Sequence, residues 1–148
     1  MKNLNKNLVL VGGGDFALEV YSYIAEDIDR QFLSGITIKG VIDKESNCLL
    51  TKKHPEVDYL GTEKDYVPQE NDYALIAIGN ATRRRDIFGR LMEISLPLLS
   101  YVHSSAYVSS SAVLGQGVFI GPNCVVSAHS VVRDNVALNV FWGVGHGA

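Results

Sequence analysis

Two parts of the chain hold residues capable of chemistry. The first is Gly12-Gly13-Gly14-Asp15-Phe16-Ala17, a Gly12-x-Gly14-x-x-Ala17 motif that directly follows the apolar, β-rich run Asn7–Val11 and opens a segment of helical spacing. A glycine turn between a strand and a helix points backbone N–H groups and the positive helix end at one spot, and both favour an anionic phosphate. The same turn is also made without a ligand, so the motif alone is a weak signal. Asp43 ends the next strand, where a carboxylate can accept a ribose hydroxyl or a base N–H, although an Asp there is often only a turn residue. Arg83, Arg84 and Arg85 fall in the first helical turn after Gly79-Asn80, where the macrodipole disfavours cations by some tenths of a kcal/mol each. A pyrophosphate would compensate them, since arginine forks match its oxygens; so would a solvated face shared with Asp86 and Glu93.

The second part is the histidines. His146 stands in Asn139-Val140-Phe141-Trp142-Gly143-Val144-Gly145-His146, and an imidazole can exchange a proton near neutral pH. By itself such a residue is more often structural. His103, ahead of the repeats described below, and His129, at an outward or turn position, read as structural or solvated, and His54 beside Pro55 reads as a loop residue. No Ser-His-Asp arrangement is supported by local motifs, and the two cysteines, Cys48 and Cys124, lack metal-site spacing.

The elements that must hold these residues fall into two kinds. Over residues 1–102, strands at Asn7–Val11, Ile36–Ile42, Tyr73–Ile78 and near Leu98–Val102 alternate with helical segments, one carrying Phe16, Val20, Ile24 and Ile28 and one spanning Thr82–Ile94. A shorter extended piece lies around Val57–Leu60. This alternation predicts a small parallel α/β sheet. Over residues 103–148 the pattern changes. Val108, Leu114, Ile120, Val126, Val132, Leu138 and Val144 stand six apart without a break. With 42 of the 148 residues Val, Ile or Leu, chance gives such a run about once in a thousand.

A period of six is not helical; it predicts a β-solenoid whose flat faces each take one hexapeptide. Four residues after each aliphatic come Ala112, Val118, Cys124, Ser130, Val136, Trp142 and Ala148, mostly small, as a narrow interior requires. The residues just before the row, Val113, Phe119, Val125, Val131 and Ala137, alternate with it and should point outward, where apolar rows mark an interface.

Composition narrows the function classes. The chain is 47% apolar and 20% charged with a net charge of −3, which argues against a general nucleic-acid-binding surface. No apolar stretch approaches the roughly 20 residues of a membrane span, and the N-terminal apolar run is too short for a signal peptide. Two unpaired-looking cysteines suit a reduced, cytoplasmic protein.

The segment VLGQGVFIGPNCVVSAHSVVRDNVALN resembles the hexapeptide-repeat acyltransferases. Upstream, LVLVGGGDFALEV, GVIDK, YLGT and IAIGNATRRR resemble, in that order, the nucleotide-binding domain of the sialic acid O-acetyltransferase and nucleotide-sugar N-acetyltransferase family. The resemblance implies a Rossmann-like domain followed by a left-handed parallel β-helix with about three hexapeptides to a turn. It implies an acetyl-CoA-dependent acetyltransferase acting on the amino group of a UDP- or dTDP-linked sugar for glycan or surface polysaccharide, working as a homotrimer with its active site between neighbours, and needing no metal. By the same matching, His146, two residues past Val144 and seven after Asn139, is the general base. The nucleotide sugar is held by Gly12, Gly13, Gly14, Asp15, Phe16, Asp43, Lys44, Gly79, Asn80, Arg84 and Asn139.

The chain departs from the family at four places. Phe16 and Leu18 replace a His and a Lys, Gly145 and Gly147 flank His146 where an acid is usual, and Trp142 stands at a small-residue position. Sialic acid O-acetylation is the alternative within the class. A nucleotide-sugar-binding protein without catalysis is the alternative outside it, and the 41 residues from Val108 to Ala148, about 2.3 turns at 18 residues each, lead to the expectation of a truncated solenoid poor in acetyl-CoA binding. An oxidoreductase is disfavoured because residues 44–72 hold no second βαβ half.

Overall fold

The structure, a computed structural model, describes residues 4–148. They form two compact units that meet in sequence between Leu98 and Leu99.

The first unit is built on a three-stranded parallel sheet in the order β2-β1-β3, with β1 (Lys6–Val11) between β2 (Ile36–Ile42) and β3 (Asp72–Ile76). Leu8, Val9 and Leu10 are wholly buried, as expected of a central parallel strand covered on both faces. Helix α1 (Asp15–Asp29) buries Ala17, Val20 and Ile24, an i, i+3, i+7 stripe. A short helix α2 (Leu49–Lys53), with no signal in the sequence pattern, lies between β2 and the extended piece at Asp58–Leu60. That piece pairs with β2 through Val41 N–H to Asp58 O and Leu60 N–H to Val41 O, each 2.8 Å. Helix α3 (Ala81–Glu93) sends Ile87 and Leu91 into one cluster with Val9, Val11, Ile42, Ala74 and Ile76.

The second unit consists of two-residue strands six residues apart: β4 (Tyr101–Val102), β5 (Tyr107–Val108), β6 (Val113–Leu114), β7 (Phe119–Ile120), β8 (Val125–Val126), β9 (Val131–Val132), β10 (Ala137–Leu138) and β11 (Gly143–Val144). They stack in parallel as β4-β7-β10, β5-β8-β11 and β6-β9, so each residue lies over the one 18 positions away. All seven members of the aliphatic row join one core cluster, with Val118, Cys124 and Val136 of the small row. The chain turns between faces through residues with positive φ, again six apart: Gly117 (66°), Asn123 (56°), His129 (58°), Asn135 (60°), Phe141 (62°) and Gly147 (69°). Glycine and asparagine tolerate that left-handed conformation; phenylalanine meets a steric penalty in it. Seryl hydroxyls lock successive turns together, Ser105 Oγ accepting from Asn123 N at 3.0 Å and Ser111 Oγ from His129 N at 3.1 Å.

Three expectations are corrected. Leu98 makes a bridge to Ala74 of the first sheet, but Tyr101–Val102 pairs with Phe119–Ile120, so the segment Leu98–Val102 is not one strand. Phe119 is only 1% exposed because its ring stacks on Tyr101 at 5.8 Å, whereas Val113, Val125 and Val131 are 59%, 45% and 51% exposed. Trp142 is 60% exposed: an indole does not fit the slot filled by Cys124 one turn earlier, whose thiol lies 2.7 Å from the Asn139 carbonyl.

Candidate functional site

The glycine loop is clamped from behind. Gly12, with φ of 102°, donates its N–H to Ile42 O at 2.8 Å, and an added Cβ would strike Ile78. Gly13 donates to Asp43 Oδ2 at 2.8 Å and accepts from Leu50 N at 2.9 Å. The space where a Gly13 side chain would sit is filled by Cys48, at the N-terminus of α2. Gly14 is the N-cap of α1, with open space around its Cα and no side chain capping the helix. The N-terminus of a 15-residue helix thus opens outward, the arrangement that receives an anion.

In front of the loop is a cleft of about 450 Å³ at the carboxyl ends of the three strands. Gly12, Gly13, Gly14, Asp15 and Phe16 form one wall, Asp43, Lys44 and Glu45 a second, and Ala77, Ile78, Gly79 and Asn80 with Arg83 the third. Nine of the residues named from the sequence are brought together here. Asn80 also caps α3, its Oδ1 accepting from Arg83 N at 2.9 Å. A neighbouring cleft of about 510 Å³ shares Lys44 and is lined by Thr62, Glu63, Lys64, Asp65 and Arg90, with Arg90 ion-paired to Glu63. Nothing in the sequence pattern announced it.

Arg84 does not line the cleft. It is 4% exposed, and its Nη1 donates to Ile76 O at 2.6 Å and Ile78 O at 3.2 Å, the carbonyls at the end of β3. Burial lowers its guanidinium to about 10, which still leaves it charged at neutral pH. Arg83 takes the place on the cleft wall. Helical spacing held the signal: Arg84 is three residues before Ile87 and seven before Leu91, on the buried face, and Arg83 is one step off it.

Asn139 and His146 belong to the second unit and both are exposed. His146 sits in the turn after β11, where Gly147 N donates to Ala128 O of the turn below at 3.1 Å. Among the described residues no carboxylate is hydrogen-bonded to its ring, in keeping with its glycine neighbours. The other histidines are held otherwise: His103 Nδ1 is 2.8 Å from Ser105 Oγ, His54 Nδ1 is 3.1 Å from Glu56, and His129 is a turn residue. Among the described residues no group of His, Cys, Asp or Glu could hold a metal, and no helix is long and apolar enough to cross a membrane.

Parallel stacks of two-residue strands at six-residue spacing, joined to a small parallel sheet with helices, give the chain the fold of the hexapeptide-repeat acetyltransferases. Among solved structures it is similar to the acetyltransferase domain of PglB from Neisseria gonorrhoeae FA1090 in complex with acetyl coenzyme A, with a TM-score of 0.78 and 25% identity over 97% of this chain and 66% of that one. PerB from Caulobacter crescentus, in complex with CoA and GDP-perosamine, has a TM-score of 0.77 at 23% identity, over 95% of this chain and 63% of that one. WeeI from Acinetobacter baumannii AYE has a TM-score of 0.75 at 17% identity, over 95% and 64%. The chain therefore spans just under two thirds of the length of these proteins. No family model and no curated protein matches it by sequence.

Proposed function

We propose that the chain belongs to an acetyl-CoA-dependent N-acetyltransferase of nucleotide-linked amino sugars. The observation that carries the reading is the cleft in which the glycine loop, the N-terminus of α1, Lys44 and Arg83 converge. Backbone N–H groups and two cations suit a diphosphate. The first unit is then a Rossmann-like nucleotide-sugar domain, and the second a left-handed β-helix that donates the base. The bound complexes of PglB and PerB support acetyl-CoA as co-substrate and a nucleotide sugar as acceptor. UDP- or dTDP-sugars are the proposed acceptors, although the base in the PerB complex is guanine.

In the reaction, the His146 imidazole takes a proton from the sugar amine as its nitrogen attacks the thioester carbonyl. The C–S bond then breaks, and the proton leaves with the CoA thiolate. Exposed Val113, Val125 and Val131 suit burial between copies of the chain, in keeping with a homotrimer.

The test is release of free thiol from acetyl-CoA against a panel of UDP-, dTDP- and GDP-linked amino sugars, with a sialic acid included. Acetylation of sialic acid alone would replace N- by O-acetyl transfer. Thermal stabilisation should be greater with UDP or a UDP-sugar than with NAD, because a ligand of the native state raises stability according to its affinity; the reverse order would overturn the site. A second reading, nucleotide-sugar binding without catalysis, is favoured by the exposure of His146 and by its ring, to which no carboxylate of the described residues is hydrogen-bonded; it predicts stabilisation by the nucleotide with no thiol released.

A further inference from the structure

We infer that Asp43 is a positioning residue that sets the phosphate-binding loop, rather than a group that receives the ribose or the base. The inference rests on the reading of the cleft as a nucleotide site. Every polar group of Asp43 is already engaged within the protein. Its N–H donates to Gly61 O at 3.1 Å, its carbonyl accepts from Tyr59 Oη at 3.0 Å, Oδ1 accepts from Glu45 N at 3.3 Å, and Oδ2 accepts from Gly13 N at 2.8 Å. The last of these bonds joins residues 30 apart in sequence and is the shorter of the two carboxylate bonds.

Its partner is equally constrained. The Gly13 carbonyl, in the next peptide plane, accepts from Leu50 N, and Cys48 closes the space behind its Cα. The segment from Asp43 to Leu50 thus holds the middle glycine from two directions, through one charged and one neutral acceptor–donor pair. A carboxylate bonded to a backbone N–H is among the stronger hydrogen bonds available to a loop. It fixes the Gly12–Gly13 peptide plane, while the Leu50 bond fixes the Gly13–Gly14 plane that carries the Gly14 N–H, and the two together set the entry into α1. Asp43 therefore acts on a diphosphate through the loop, and its loss is felt by any ligand that uses the loop, with or without a nucleoside.

That prediction separates the two roles. Wild type, Asp43→Ala and Asp43→Asn are titrated with UDP and with inorganic pyrophosphate, which has neither ribose nor base. Asp43→Ala should weaken both by the same factor, about tenfold, the cost typical of a lost hydrogen bond to a charged group. Asp43→Asn keeps an oxygen acceptor in place and should restore most of both. Weakened UDP with pyrophosphate at the wild-type value would overturn the inference and place the carboxylate on the nucleoside; so would no change for either ligand. Wild type that binds neither would instead overturn the nucleotide reading. In that event amide exchange decides: Gly13 N–H should exchange faster in Asp43→Ala, while Gly12 N–H, bonded to Ile42 O, reports that the sheet is intact. Unchanged Gly13 exchange overturns the positioning role.

Discussion

Lys39 of β2 reaches past the central strand to Asp72 of β3, placing Nζ 2.9 Å from Oδ2. Asp72 is 1% exposed and also accepts from Tyr66 Oη at 2.6 Å and Gln69 N at 2.9 Å. Burial by itself would raise the carboxyl, but the hydrogen bonds from Tyr66, Lys39 and Gln69 and the Lys39 charge outweigh it and hold the acid below the usual range. A folded-state value below the unfolded one contributes stability that is present above the unfolded value, about 3.9, and is lost as pH falls through the folded one. Urea midpoints should therefore drop as pH falls below about 4, and Asp72→Asn should flatten that part of the profile. An unchanged slope in Asp72→Asn would assign acid sensitivity to other groups.

Adjacent glycines of the loop should respond oppositely to the same substitution. A Cβ on Gly13 collides with Cys48 and crowds Asp43, whereas a Cβ on Gly14 meets nothing within 4 Å. Gly13→Ala is expected to cost at least about 1 kcal/mol and most of the nucleotide affinity, by forcing a backbone shift in a packed site. Gly14→Ala should stay within about 0.5 kcal/mol of wild type. Replacing Cys48 by Gly in the Gly13→Ala background should recover part of the loss. Paired thermal melts and UDP titrations of the three variants check this.

For His146 the expected result is a drop in turnover of about 10²- to 10⁴-fold in His146→Ala, with nucleotide binding retained. UDP binding should be retained because the residues that line the cleft, the glycine loop with Lys44 and Arg83, are unchanged. Turnover near wild type, measured by thiol release at saturating acetyl-CoA, would take His146 out of the reaction.

Phe141 holds a left-handed turn at φ of 62° with its side chain 77% exposed, while equivalent turns use Gly, Asn or His. An exposed ring recovers little of the roughly 1–2 kcal/mol that a side chain loses in that conformation. Phe141→Asn should stabilise the chain by about 0.5–1 kcal/mol, seen as a higher thermal midpoint. A lower midpoint would mean that the ring contributes packing worth more than the strain.

The repeats were legible because their interior is one residue wide: Val108 to Val144 meet a single repeated requirement, and neither a helix nor an ordinary strand produces a period of six. The glycine loop was legible for a different reason, since so tight a turn from strand to helix is made by few residue types. What escaped depended on packing between distant segments. The Tyr101 stack over Phe119, and α2 with Cys48 under Gly13, are set by contacts that local spacing does not encode. Trp142 shows the limit of the pattern itself: it occurs in the small-residue frame, but its volume excludes it from the slot.

The superposition of residues 18 apart makes the length of the second unit discrete, since Tyr107 lies against Val125 and Val125 against Gly143. Inserting a single residue after Val126 would rotate every later aliphatic out of the core and put side chains unsuited to positive φ at the turns. Inserting a whole 18-residue segment would return each side chain to its own column. Such a unit can therefore change length over evolutionary time by copying or losing full turns, while single-residue insertions and deletions within it are removed by selection.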